Sequence, residues 1–251
     1  MDLLYRALDI LEYVCISGSA NVDELSESLD IPKSTVYRLL NSLQKRDYVR
    51  HTSPNCYEAG PRLLMLQGAM ERQNHLLQVA RPHLKSLSQK TGQTAHLAIL
   101  SSNQLGYVDT VVGQSGVSIY PSPSSPLHCT SLGKALLAFM PEQRREAMVS
   151  QLILEKRTSN TITTVAGLLR DLEKVRHRGY SLDNEEWELG LRCIGAPIRN
   201  AAGDVIAAVS ISGLAAKISG DAFPTMTNAV CETAKAISGD LGFQESLQSD
   251  V

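Results

Sequence analysis

The first 60 residues contain three closely spaced helical patterns and a hairpin pattern, and this order restricts the fold more than any other feature. Gly18 is placed to end the first helix, and Asn21 with Glu24 forms a capping-box pattern for the second. Pro32 suits the first turn of a third helix, where a missing N–H costs nothing. The apolar stripe of the first helix consists of Leu4, Ala7, Leu8, Ile10, Leu11 and Val14.

The third predicted helix has one apolar and one polar face. Its polar face consists of Lys33, Ser34, Thr35, Tyr37, Arg38, Asn41 and Lys45. Short hydroxyls near a helix N-terminus, followed by basic side chains, suit a helix that enters the major groove of DNA. The alternative is the solvated face of an ordinary helix bundle.

A predicted hairpin over residues 48–60 follows that helix, with its turn at Ser53, Pro54 and Asn55. Arg50 and His51 on this hairpin could contact flanking DNA backbone. The positive charge is local, because the whole chain of 251 residues has a net charge of −2. Helices, hairpin and local charge together predict a winged helix-turn-helix DNA-binding domain over residues 1–60.

Residues 61–74 are predicted to be helical, and so are residues 75–91, where Pro82 marks a kink or a fresh start. Strands and helices then alternate, with two hairpins formed by residues 94–112 and 192–214 and a final helix over residues 223–242. Residues 121–126 read as a rigid loop, and the last eight residues as a frayed tail. The fold class predicted for the whole chain is α+β.

Two groups of residues in this second part could hold a ligand. The helix that begins near Thr130 and Ser131 would direct N–H groups of residues 131–133 at a small anion; the alternative is that Thr130 or Ser131 only caps this helix. Ser210 and Ser212 alternate along one predicted strand and Cys193 lies on the strand paired with it, so these three could converge on one face of a sheet, where Asp183 could accept hydrogen bonds from hydroxyl groups. Serines inside an apolar strand need partners, which are neighbouring backbone groups or a ligand.

Enzymatic and metal-binding alternatives have weaker support. Cys193 with His128 could form a thiol–imidazole pair, and these two with Cys129 and Asp183 could bind a metal. No Gly-x-Ser-x-Gly or His-Glu-x-x-His motif occurs, and His128 replaces the first glycine that a phosphate loop before Gly133 would need. His96 and His177 are taken as structural or surface histidines. We therefore expect no catalytic residue, no metal and no cofactor.

The five cysteines are widely spread, and the acidic, amphipathic start of the chain is unlike a signal peptide. No apolar run reaches the length of a membrane helix. We expect a cytoplasmic protein without membrane contact.

The chain resembles the IclR-type bacterial transcriptional regulators. The resemblance rests on "IPKSTVYRLLNSLQKRDYV", "YEAGPRLL", "PLHCTSLGKALLA", "RGYSLDNEEWELGLRCIGAPI" and "GDVIAAVSISG". It implies a winged helix in residues 1–60, a dimerising linker helix in residues 61–74 and a GAF-like α/β effector-binding domain in residues 75–251. The implied protein is a homodimer or dimer of dimers that binds operator DNA, as a repressor rather than an activator, under control of a small metabolite such as a carboxylic acid.

The resemblance and the helix start together define the expected sites. The DNA-binding set is Lys33, Ser34, Thr35, Tyr37, Arg38, Asn41, Lys45 and Arg50, and the effector-binding set is Thr130, Ser131, Leu132, Gly133, Asp183, Cys193, Ser210 and Ser212. Two departures affect the second set, because "SSPLH" replaces the usual Gly-x-Arg-x-Leu-His and Leu132 is bulkier than its counterparts. The rival hypotheses are a metabolic enzyme that uses Cys193, with an accessory helical domain, and a DNA binder without a ligand.

Overall fold

A computed structural model describes residues 3–53, 56–101, 103–114 and 125–244, apart from the side chains of residues 70–73. The chain divides into two compact units, Met1–His75 and Leu76–Val251. The segment predicted as a linker helix therefore falls within the first unit. Its assignment as a separate element between two domains stays a prediction.

The first unit consists of three helices, a three-stranded sheet and a fourth helix. In chain order these are α1 (Leu3–Ser17), β1 (Ser19–Asn21), α2 (Val22–Leu29), α3 (Lys33–Gln44), β2 (Val49–Ser53), β3 (Cys56–Ala59) and α4 (Pro61–Gln73). The antiparallel sheet has the order β1-β3-β2. The predicted helices and hairpin are present, and the short strand β1 is an addition; Pro54 and Asn55 of the predicted turn lie outside the described residues.

Two details of the prediction for this unit were wrong, and the predicted apolar stripe of α1 is only partly buried. Leu4 and Leu8 are 63% and 45% exposed, because the apolar core of the unit begins only at Ile10. Pro32 precedes α3 as its N-cap and does not occupy the first turn. Lys45 is the C-cap that follows the helix.

The capping box at the start of α2 is present in full. The Asn21 side chain accepts a hydrogen bond from the Glu24 N–H at 2.9 Å, and the Glu24 carboxylate accepts one from the Asn21 N–H at 3.0 Å. Replacing Asn21 with alanine should destabilise the first unit by about 1 kcal/mol, since one capping bond is lost. Chemical denaturation followed by circular dichroism measures this, and an unchanged midpoint would contradict it.

The second unit is a five-stranded sheet between two helical layers. Its elements are α5 (His75–Thr91), β4 (Thr94–Ser101), β5 (Gln104–Val111), α6 (Ser131–Ala138), α7 (Glu142–Gln151), α8 (Val165–Arg178), β6 (Ser181–Asn184), β7 (Leu191–Arg199), β8 (Val205–Leu214) and α9 (Ala222–Asp240). All neighbours in the order β5-β4-β8-β7-β6 are antiparallel. The predicted α+β class is confirmed.

Strand alternation gives this sheet two different faces. One face packs Leu97, Ile194 and Ile211 against α5 and α9. The other packs Ala98 and Ala208 against α6, α7 and α8. The serines singled out in β8 therefore lie on the side of the sheet that faces α6.

Several elements of the second unit differ from the prediction or lie outside the described residues. Helix α5 runs through Pro82 without a fresh start, and the strand β6 was not predicted. Residues 121–124 of the predicted rigid loop and residues 245–251 of the predicted tail lie outside the described residues. In the part of the chain that the structure describes, no helix is both long and apolar enough to span a membrane.

Candidate functional site

The polar face of α3 is open to solvent in the first unit. Ser34, Tyr37, Arg38 and Asn41 are exposed, whereas Thr35 is half-buried. The burial of Val36, Leu39 and Leu40 on the opposite face of α3 presents these side chains outward. The structure thus brings the predicted recognition residues of the helix onto one accessible surface.

The basic side chains around α3 differ in their pairing. Lys33 Nζ lies 2.7 Å from Asp23 Oδ1, and this hydrogen-bonded ion pair raises the pKa of Lys33. Arg50 lies 3.4 Å from the Glu58 carboxylate on the neighbouring strand. Among the described residues, no carboxylate lies within ion-pair distance of Arg38, Lys45 or Arg46. Arg46, which was not among the predicted residues, is exposed and follows the C-cap of α3.

The second candidate site is a set of polar side chains on the α6-facing side of the sheet. One cross-strand row runs through Asp183, Cys193, Ser212 and Thr94, and the next through Ser181, Gly195, Ser210 and His96. These eight residues are called the polar cluster below. The structure shows the predicted convergence of Cys193, Ser210 and Ser212 on one face, and the unpredicted strand β6 brings Asp183 to the same face.

Asp183 is a buried carboxyl with an unusual pKa. Its Oδ1 accepts hydrogen bonds from the N–H groups of Glu186 at 2.8 Å and Trp187 at 3.3 Å. Burial nevertheless raises the pKa of Asp183 from 3.8 to about 7, because the charged form loses its hydration. A carboxyl in this state can donate a hydrogen bond to a ligand as well as accept one.

Cys193 is the neighbour of Asp183 in the row, and its thiol is poorly suited to nucleophilic attack. Burial raises the pKa of Cys193, and the nearby Asp183 raises it further. Cys193 lies between Asp183 and Ser212 in this cross-strand row. The thiolate is the reactive form of cysteine, so this environment suits a wall residue and opposes a catalytic one.

The alternative partners proposed for Cys193 are occupied elsewhere. His128 Nε2 lies 3.1 Å from the Glu155 carbonyl oxygen, and burial lowers the pKa of His128. Within the described ranges, no group of three or more His, Cys, Asp and Glu residues is arranged to hold a metal ion. The ligand set considered from the sequence is therefore not assembled as a metal site there.

Ser210 and His96 are neighbours in the second row. Ser210 Oγ is buried without a hydrogen-bond partner among the described residues. His96 is buried, its Nδ1 lies 3.1 Å from Thr110 Oγ1, and burial lowers its pKa to about 4, so the ring is neutral at pH 7. An unpaired buried hydroxyl is costly, and a ligand that hydrogen-bonds with Ser210 would remove that cost.

The start of α6 lies directly over the polar cluster. Ser181 Oγ donates a hydrogen bond to the Ser131 carbonyl oxygen at 2.6 Å. A Cβ at Gly195 would come within 3.0 Å of the Ser131 backbone, so glycine permits this close approach. The helix N-terminus and the polar rows therefore share one location.

Part of the expected anion contact at this helix start is already used internally. Thr130 Oγ1 accepts a hydrogen bond from the Gly133 N–H at 3.2 Å and donates one to the Pro126 carbonyl at 2.8 Å. A Cβ at Gly133 would lie 2.4 Å from the Leu127 carbonyl oxygen, and the Leu132 side chain packs in the apolar core. Thr130 and Gly133 therefore cap and pack the helix start, and their role in holding an anion stays a prediction.

A buried charge network that was not predicted from the sequence lies beside the polar cluster. The Lys134 side chain is 1% exposed, and its Nζ lies 2.6 Å from Glu186 Oε1 and 2.9 Å from Asp171 Oδ2. Glu186 also donates its N–H to Asp183, and its carbonyl oxygen accepts from Thr161 Oγ1 at 2.6 Å. One signal was present: a lysine within the apolar helix "SLGKALLA" needs a carboxylate partner when it is buried.

Both units match models of one protein family. Residues 3–53 match the model described as the IclR helix-turn-helix domain, and residues 68–239 match that of the bacterial transcriptional regulator IclR C-terminal domain. The second model alone covers more than half of the chain.

Individual relatives agree with these matches. The HTH-type transcriptional regulator BhcR of Paracoccus denitrificans is 36% identical over 94% of this chain and 85% of its own length. The HTH-type transcriptional repressor AllR of Escherichia coli K12 is 34% identical over 96% of this chain and 90% of its own. The crystal structure of an IclR homologue from Microbacterium hydrocarbonoxydans, complexed with 4-hydroxybenzoate, has a TM-score of 0.81 at 25% identity and covers 96% of this chain and 99% of that one.

Proposed function

The chain belongs to the IclR family of bacterial transcriptional regulators, and from this membership we propose how its residues carry out the regulation. The protein is a DNA-binding transcriptional regulator and not an enzyme. We propose that α3 reads operator DNA, that the polar cluster holds a small effector, and that the regulator represses its targets, as the relative AllR is named to do. Its place of action is then the cytoplasm, where the chromosome lies.

For DNA recognition, the proposal rests on the exposed side chains of α3. Arg38 lies in the middle of this face and has no carboxylate partner among the described residues, so its guanidinium is available for base edges or phosphates. Ser34, Thr35, Tyr37 and Asn41 flank it, whereas Lys33 is already paired with Asp23. Lys45 and Arg50 supply charge at the end of the helix and on the wing.

Arg38→Ala should weaken operator binding by about 10- to 100-fold, since a good arginine–base contact is worth roughly 1–3 kcal/mol. Fluorescence anisotropy with a labelled fragment from upstream of the gene measures this. The matched control is Arg170→Ala, which removes an exposed arginine from α8 in the second unit. If wild type and Arg38→Ala bound the operator with equal affinity, α3 would not be the helix that reads the DNA.

For the effector, we propose a small carboxylic acid held between the start of α6 and the polar cluster. The unpaired Ser210 hydroxyl carries this proposal, because it is a buried polar group that still lacks a partner. The N–H groups of Ser131 and Leu132 can contact the acid, and a protonated Asp183 avoids repulsion between two carboxylates. Cys193 and Ser212 form the adjoining wall.

Isothermal titration with small aliphatic and aromatic carboxylic acids, 4-hydroxybenzoate among them, tests this site. Ser210→Ala should reduce the affinity for any acid that binds by about tenfold, since one buried hydrogen bond is lost. Ser150→Ala is the matched control, because Ser150 is exposed on α7 and bonds only to its own helix. If an acid bound Ser210→Ala as tightly as it bound Ser150→Ala, the effector site would not include Ser210.

We further propose that the protein is a homodimer formed through its first unit. Leu4 and Tyr5 on α1 are each 63% exposed, and Leu64 and Met65 on α4 are 72% and 65% exposed. Large apolar side chains in such number on one small unit are typical of a surface that is covered by a partner. Leu64→Glu with Met65→Glu should convert dimers to monomers in multi-angle light scattering, and an unchanged mass would contradict this interface.

A further inference from the structure

A cleft of about 440 Å³ lies in the second unit where α8 ends. Its walls are the last turn of α8, the end of β7, one side of α9, and Phe139 after α6. None of its lining residues belongs to the polar cluster. The cleft is therefore separate from the proposed effector site, and its volume falls in the usual range for small-molecule sites.

The charges that line this cleft are all of one sign. Four of its lining residues are lysine or arginine and none is acidic; the four are Arg176, Arg178, Arg199 and Lys235, and His177 also lines the cleft. This is a local excess, because the chain as a whole carries a net charge of −2. A concave surface lined by cations concentrates anions.

Helix capping explains only part of this excess. Arg176, His177 and Arg178 occupy the last turn of α8, where cations compensate the helix dipole. Arg199 lies on β7 and Lys235 on α9, so the dipole of α8 does not account for them. Basic side chains from three elements converge on one cleft.

Several of these side chains are held in place by groups that do not neutralise them. Arg178 Nε donates to the Tyr180 carbonyl at 2.7 Å, and its guanidinium lies 4.7 Å over the Tyr180 ring. Arg176 donates to the Ala138 carbonyl at 3.4 Å. Across the described ranges, neither arginine has a carboxylate within ion-pair distance. Both therefore keep their charge available, and ordering them costs a ligand little.

We propose that this cleft is a second ligand site, which binds a small molecule bearing a phosphate group. A phosphate dianion can be shared by several cations, and the planar guanidinium groups match its oxygen atoms with paired hydrogen bonds. Arg199 lies 5.0 Å from the Phe139 ring and 5.8 Å from the Phe243 ring, so two aromatic side chains border the charged region. They provide an apolar wall for the organic part of such a ligand.

Calorimetric titration of the full chain at constant ionic strength tests this site, with inorganic phosphate, pyrophosphate and glucose 6-phosphate as probes. We expect saturable binding of at least one probe, weakened about tenfold or more by Arg176→Gln with Arg178→Gln, since two charge-assisted contacts are lost. If glucose 6-phosphate binds more tightly than the inorganic anions, the ligand class is a phosphorylated metabolite. If the inorganic anions bind more tightly, the ligand is free phosphate or pyrophosphate.

The control variant is Arg170→Gln with Lys174→Gln, which removes the same charge from exposed positions on the same helix. It should bind the probes like the wild type, and so should Asp183→Asn if the two sites are distinct. Fluorescence of Trp187 during unfolding verifies that each variant is folded. Absence of binding at millimolar concentrations of all three probes would overturn the proposal, and so would affinity that survives Arg176→Gln with Arg178→Gln.

Discussion

Lys134→Met should destabilise the second unit by about 3–5 kcal/mol, because it leaves two buried carboxylates without their shared cation. Glu186 and Asp171 are 8% and 19% exposed in their side chains, and both lie within 3 Å of Lys134 Nζ. Trp187 is the only tryptophan of the chain and lies next to Glu186. Urea unfolding followed by its fluorescence therefore reports on this unit.

The double variant Lys134→Met with Glu186→Met is the control for the loss of charge balance. It removes one buried charge of each sign, so it should be more stable than Lys134→Met alone. Two results would contradict this role of the network. One is a loss of less than about 1 kcal/mol in the free energy of unfolding of Lys134→Met, and the other is a double variant that is less stable than Lys134→Met. The loss should also shrink at low pH, where the carboxylates become protonated.

Asp183→Asn should change how the stability of the second unit depends on pH. Burial raises the pKa of Asp183 to about 7, so between pH 4 and 7 the folded protein holds a proton that the unfolded chain has released. Wild-type stability relative to the variant should therefore fall as the pH rises, by about 1.4 kcal/mol per pH unit within this window. The asparagine side chain does not titrate in this pH range, so the variant is the reference for the pH dependence of stability.

The measurement is a pair of urea-unfolding series at pH 5 and pH 7, again followed by Trp187 fluorescence. The wild-type free energy of unfolding minus that of Asp183→Asn should drop by about 2–3 kcal/mol between these values. Groups that titrate in both proteins cancel in this difference. A difference that stays constant from pH 5 to pH 7 would show that Asp183 is ionised in the folded protein throughout this range.

Elements with a strong local pattern could be predicted from the sequence. Helix α3, the capping box of α2 and the β7–β8 hairpin each depend on residues that are close together in the chain. The short strands β1 and β6 could not be predicted, since each exists through pairing with a neighbouring strand. Periodicity also located the apolar stripe of α1 correctly, but it does not say which part of the stripe the rest of the unit covers.

The candidate site was predictable to a similar degree. Alternation along β8 was enough to place Ser210 and Ser212 on one face, and pairing with β7 brought Cys193 to them. The network of Lys134 with Glu186 and Asp171 joins positions 52 and 37 residues apart, so a local pattern can indicate the buried lysine but cannot identify its partners. The role of Thr130 was ambiguous for a different reason, because a helix N-terminus can bind its own cap or an anion with the same N–H groups.

Operator affinity measured with and without effector tests the central claim most directly. Anisotropy titrations of the upstream DNA fragment would be run with the wild type and Ser210→Ala, at saturating concentrations of an acid that binds the wild type. We expect the acid to change wild-type operator affinity by roughly 5- to 150-fold and to leave that of Ser210→Ala nearly unchanged. Identical wild-type affinity with and without every acid that binds would contradict the coupling between the polar cluster and DNA.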